Sequence, residues 1–105
     1  MNIDVRFVHL DSSEALRDHV VARLHSHLDR LGREVAEARV RFTDVNGTKQ
    51  GGLRCHVMLT GPHIGQVDAE AEGESAYLAG DEAVDAAVHA VLRVLDRRRS
   101  ERRSA

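Results

Sequence analysis

Ten basic side chains of this chain fall into two groups whose type and spacing suit the binding of phosphate. Arg6, Arg39, Arg41 and Arg54 alternate with apolar residues, and Lys49 stands in the glycine-rich stretch between the last two of those arginines. Arg97, Arg98, Arg99, Arg102 and Arg103 crowd the end of the chain. A guanidinium presents planar N–H donors that fork onto phosphate oxygens, so either group is a candidate track along a nucleic-acid backbone. Each also has a plain structural reading. If the strands around Gly61-Pro62 pair antiparallel, Arg54 faces Glu72 and His56 faces Glu70 as cross-strand ion pairs. The arginines at the end would then be a solvated helix terminus. Against that second reading, Arg97 to Arg99 are consecutive and, at 100° per helical residue, point in three directions, so no single acid neutralises them.

Other reactive types form no catalytic set. The seven histidines, His25, His27, His56 and His63 among them, show no ligand spacing, and no metal or other cofactor is expected. Cys55 is the only cysteine and falls on an apolar parity between Leu53 and Val57, the pattern of a buried, inert thiol. No nucleophile–base arrangement, phosphate loop or pair of catalytic carboxylates stands out, and Asp81 with Asp85 read as the solvent face of a helix. An enzyme acting on a small-molecule substrate is not expected.

The elements that must hold these residues follow from periodicity. Ile3, Val5 and Phe7 alternate with Asp4, Arg6 and Val8 in a first strand over 2–8. Asp11 or Ser13 caps a helix that carries Leu16, Val20, Leu24, Leu28 and Leu31 on one stripe, and Gly32 stops it; Arg17, Asp18, Arg23, Asp29 and Arg30 take the solvent side. Ala38, Val40 and Phe42 alternate with Arg39, Arg41 and Thr43, and Cys55, Val57 and Leu59 alternate with Arg54, His56 and Met58. The connection over 44–52, with Asn46-Gly47 and Gly51-Gly52, joins these arms as a hairpin. Gly61-Pro62 turns into a fourth strand near 66–72, whose Val67, Ala69 and Ala71 face inward and whose Gln66, Asp68, Glu70 and Glu72 face outward. A second helix runs from about Ser75 toward Arg99 with Tyr77, Val84, Val88, Val91 and Leu95 on its stripe, and Gly80 marks a close approach to the sheet.

The fold class is therefore α+β, in the order β-α-β-β-β-α. A four-stranded mixed sheet carries two helices on one face and leaves the other wet, with the first two strands parallel. Residues 1–96 read as one domain and residues 97–105 as a basic tail. The net charge of −2 conceals that division: five arginines against two acids lie in 96–105, and ten basic against fifteen acidic residues in the remainder. With 3% aromatic residues, no tryptophan, and Phe7 and Phe42 on core parity, the open face offers no platform for stacking bases. Any RNA contact would go to backbone and shape. The start of the chain lacks a secretory signal and no apolar run suits a membrane span, so a cytoplasmic protein without a membrane partner is expected.

Three pieces of the sequence resemble the short ribosome hibernation-promoting factor and ribosome-associated inhibitor A family, also described as sigma-54 modulation proteins. They are Ser13-Glu14-Ala15-Leu16-Arg17, then Asp44-Val45-Asn46-Gly47 with Gly51-Gly52 and Cys55, and Ala71-Glu72-Gly73 leading to Tyr77, Ala79, Asp81 and Asp85. The resemblance implies a fold like that of a double-stranded-RNA-binding domain. It also implies a non-catalytic factor that binds the decoding region of the small ribosomal subunit through rRNA, excludes messenger and transfer RNA, and preserves idle ribosomes. With the second helix as its last element, the chain is expected to lack the dimerisation domain of the family's long form. Ala86, Leu92 and Val94 stand on the second helix where basic residues are common in the family. The competing function is a protein–protein interaction domain of the same fold that does not bind ribosomes.

Overall fold

The computed structural model describes residues 1–45 and 52–104. Their order is β1 (Asn2–Val8), α1 (Glu14–Leu28), a 3-10 turn (Gly32–Glu34), β2 (Glu37–Asp44), β3 (Leu53–Gly61), β4 (Gly65–Gly73) and α2 (Ala76–Ser104). The strands lie in the order β1-β2-β3-β4, with β1 parallel to β2 and the remaining pairs antiparallel. This is the expected α+β architecture. The alternation in the strands translates directly into burial: Val5, Ala38, Val40, Phe42, Cys55, Val57, Leu59 and Val67 are buried beneath the helices. Among the described residues no helix is long and apolar enough to cross a membrane.

α1 begins at Ser13, whose hydroxyl accepts a hydrogen bond from the Leu16 N–H at 3.1 Å; Ser13 rather than Asp11 is the cap. Leu16, Val20, Leu24 and Leu28 are its buried stripe. The expected continuation to Leu31 does not occur. The helix ends at Leu28, the chain turns with Leu31 N–H bonded to the Leu28 carbonyl at 2.9 Å, and Gly32, at φ +52°, opens the 3-10 turn. Leu31 is therefore half-buried beside the end of α2 rather than part of the α1 stripe.

α2 lies so close to the sheet that a Cβ on Gly80 would come within 3.2 Å of the Phe42 ring. Small residues accordingly fill the seam, and Ala79, Ala83, Val84, Ala87 and Val91 are fully buried. Tyr77 was expected on this stripe but is 41% exposed. It lies in the first turn of the helix, where its ring meets His19 of α1 edge-on at 4.9 Å. Phe42 stacks on Phe7 with ring centroids 5.8 Å apart, which ties β1 to the centre of the core. At its far end α2 runs on through the arginine segment to Ser104, so residues 97–104 are helical and continue the element that covers the sheet.

Candidate nucleic-acid interface

The open face of the sheet is ordered in rows fixed by strand register. One row places Arg6, Arg41, His56 and Glu70 side by side; the next places Asp4, Arg39, Met58 and Asp68. Charge thus runs from basic on β1 and β2 to acidic on β4. Most of the cations on this face are already engaged. Arg6 pairs with Asp4 at 2.8 Å, Arg39 with Glu37 at 2.6 Å and Arg54 with Glu72 at 2.6 Å. The Arg54–Glu72 pair is the expected cross-strand partner. Its hydrogen bond and charge raise the Arg54 pKa above the ordinary arginine value. His56 faces Glu70 in register as expected, but its ring instead meets the Asp68 carboxylate one row away at 2.9 Å.

Arg41 is the exception, having no ion-pair partner among the described residues. It helps to line a shallow cavity of about 260 Å³ with Arg6, Arg39, His56 and Met58. Lys49 lies outside the described residues. Among the described residues no phenylalanine, tyrosine or tryptophan ring faces this side: Phe42 is fully buried and Phe7 is stacked on it.

The second group is arranged differently. Arg98, Arg99 and Arg102 of α2 meet Arg30, from the turn after α1, around a cavity of about 540 Å³ at one end of the molecule. Among the described residues Glu34 is the single acid in its lining, and that carboxylate is taken by His63 at 3.1 Å. Four guanidinium groups from two segments therefore share one concave site, and none of them has an ion-pair partner among the described residues. Uncompensated like charges around a cleft raise the local potential and favour an anion there. Arg97 is exposed on the same helical segment, and the backbone of Arg103 continues it.

The seam between the helices holds a network that sequence reasoning missed. Asp81 and Asp85 do not face solvent alone, nor does Arg23. His19 reaches Asp81 at 2.8 Å, Arg23 reaches Asp85 at 2.9 Å and Asp81 at 3.6 Å, and His27 reaches Asp85 at 3.1 Å. The doubled hydrogen bond to Asp85 is the main reason the Arg23 pKa is raised, and it outweighs the opposing desolvation. The signal was available. His19, Arg23 and His27 recur every four residues on α1, and Asp81 and Asp85 are spaced likewise on α2, so each set lies along one side of its helix. These groups hold the helices together and are engaged with one another across the seam. Cys55 is fully buried, and burial pushes its thiol up to about 12, which removes it from nucleophilic chemistry at neutral pH.

No curated protein matches the chain by sequence. Among solved structures it is similar to the N-terminal domain of Protein Y from Thermus thermophilus. The TM-score is 0.74 at 28% identity over 89% of this chain and 98% of that one. A ribosomal subunit interface protein from Coxiella burnetii shares the fold, with a TM-score of 0.65 at 20% identity over 95% of this chain and 99% of that one. The profile of the family described as sigma 54 modulation protein / S30EA ribosomal protein matches residues 3–99. The chain therefore belongs to that family, whose members are non-catalytic factors.

Proposed function

We propose that this protein is a ribosome-associated hibernation factor that binds the decoding region of the small subunit through rRNA backbone contacts. Bound there, it would exclude messenger and transfer RNA in the cytoplasm of resting cells. The observation that carries the reading is the cleft formed by Arg30, Arg98, Arg99 and Arg102, whose charges have no partner within the described residues. Family membership and the likeness to a subunit interface protein support the choice of the ribosome as the source of phosphate.

The cleft is the principal clamp, with Arg97 and Arg103 extending it along α2. Arg41, flanked by Arg6 and Arg39, provides a second and weaker contact that sets orientation. Arg54, held by Glu72, contributes least. Residues 97–104 act as a basic appendage on an acidic body, and truncating them should remove affinity while leaving the fold. Recognition through phosphate, without stacking, makes binding steeply dependent on salt. Co-sedimentation tests the proposal: in a sucrose gradient of a stationary-phase lysate at low salt, the protein should travel with the small subunit or the whole ribosome. Recovery only from the soluble top fractions, in growing and starved cells alike, would refute it. The second reading, association with a protein partner, draws on the exposed Leu92 beside Leu95 and Leu31 in an adjoining cavity of about 460 Å³. Stoichiometric recovery of one protein without ribosomes would support it instead.

A further inference from the structure

β1 is an edge strand, and among the described residues nothing pairs with its outer side. Asn2 donates its N–H to the carbonyl of Ala36, the residue just before β2, at 3.0 Å, which fixes the direction of every peptide group along the strand. In a parallel ladder one residue in two bonds a given neighbour, so Asn2, Asp4 and Arg6 bond β2 while Ile3, Val5 and Phe7 aim their N–H and C=O groups at the free edge. An open edge of this kind is a template for another strand.

The side chains select which strand fits. A second copy of β1 laid antiparallel about a two-fold axis through Val5 sets Val5 against Val5 of the partner copy, and Ile3 against Phe7. These are the residues whose peptide groups point outward, so each such pair exchanges both backbone bonds. The intervening positions set Asp4 against Arg6 in both directions, at the pairs where side chains stand closest. Both lie on the open face, away from the helices, and their side chains are 51% and 76% exposed. The strand is thus complementary to its own inverse in backbone bonding, apolar pairing and charge together. The other edge is not. The same operation on β4, centred on Ala69, sets Asp68 against Glu70 and brings like charges together.

We infer that the protein self-associates through β1 as a two-fold dimer with a continuous eight-stranded sheet, in which Asp4 of each copy pairs with Arg6 of the other. The present Asp4–Arg6 pair within one strand, at 2.8 Å, opens or is shared when the partner arrives. Because the axis stands perpendicular to the sheet, both open faces fall on the same side.

Sedimentation velocity across a concentration series tests this with the full chain and the variants Asp4→Arg, Arg6→Asp and the double exchange. The wild type should shift from monomer to dimer as concentration rises. Each single reversal faces like charges twice across the axis and should weaken the dimer by about tenfold or more. The double exchange should restore it. Hydrogen exchange on the unmodified chain gives a reading independent of any variant: the amides of Ile3, Val5 and Phe7 should gain protection at high concentration. A wild type that stays monomeric throughout overturns the inference. So does a dimer indifferent to both reversals, or one that leaves those three amides unprotected.

Discussion

Burial of Cys55 opposite Phe42 has a consequence at alkaline pH. Its thiol is raised from an ordinary 9.0 to about 12, so the unfolded chain gives up this proton more readily than the folded one. The associated stability is intact below the lower value and is lost as pH rises toward the higher, at up to about 1.4 kcal/mol per pH unit. Denaturant titrations from neutral to alkaline pH should therefore show a steeper fall for wild type than for Cys55→Val. Equal slopes would place the thiol in contact with water. Phe42, fully buried between Phe7 and α2, should lose about 3–5 kcal/mol on replacement by alanine, read as a shift in the denaturation midpoint. Gly61 is constrained from a different direction. A Cβ there would collide with the Glu34 carbonyl, and no flexible side chain lies between them to yield. Gly61→Ala should destabilise by about 1–3 kcal/mol in the same assay.

At the scale of elements, the seam between α1 and α2 is the feature most open to a graded test. Asp85 serves both Arg23 and His27, so Asp85→Ala removes a partner from two side chains at once and leaves Arg23 only the longer contact to Asp81. These groups are about one-third exposed, and solvent screens them, so the expected loss is about 1 kcal/mol or less. A double-mutant cycle with Arg23→Ala should find the two effects coupled. The strands and their inward faces were legible because a period of two leaves little choice: Val40 and Phe42 can be buried only if Arg39 and Arg41 are not. The seam was less legible. A helix stripe is read from its apolar residues, and Arg23, Asp81 and Asp85 sit at the stripe's margin, where a charge facing water and a charge facing another helix look alike in sequence. The end of α1 at Leu28 was hidden for a similar reason, since Leu31 fits helical spacing yet packs from a turn. Arg54 was correctly matched to Glu72 by register, whereas His56 could not be assigned to Asp68 because that choice depends on the rotamer.

Over the whole molecule, two populations of arginine emerge that composition cannot separate. Arg6, Arg39 and Arg54 are matched by acids of the same sheet, and Arg23 by acids across the helix seam. Arg30, Arg98, Arg99 and Arg102 gather around one cleft without such partners among the described residues. Individual residues of the second group were visible in the sequence as a basic run. The inclusion of Arg30, far away along the chain, required the turn after α1 to be placed against α2. The central claim is that affinity for ribosomal RNA resides in the unmatched set. The most direct measurement is the salt dependence of small-subunit binding for the wild type, for Arg98→Ala/Arg99→Ala/Arg102→Ala and for Arg54→Ala. The triple variant should keep the wild-type melting midpoint, bind more weakly, and lose roughly 0.7–0.9 of log–log salt slope for each phosphate contact removed. Arg54→Ala should leave that slope unchanged. If the triple variant binds with the affinity and slope of the wild type, the cleft is only a solvated helix end and the account is contradicted.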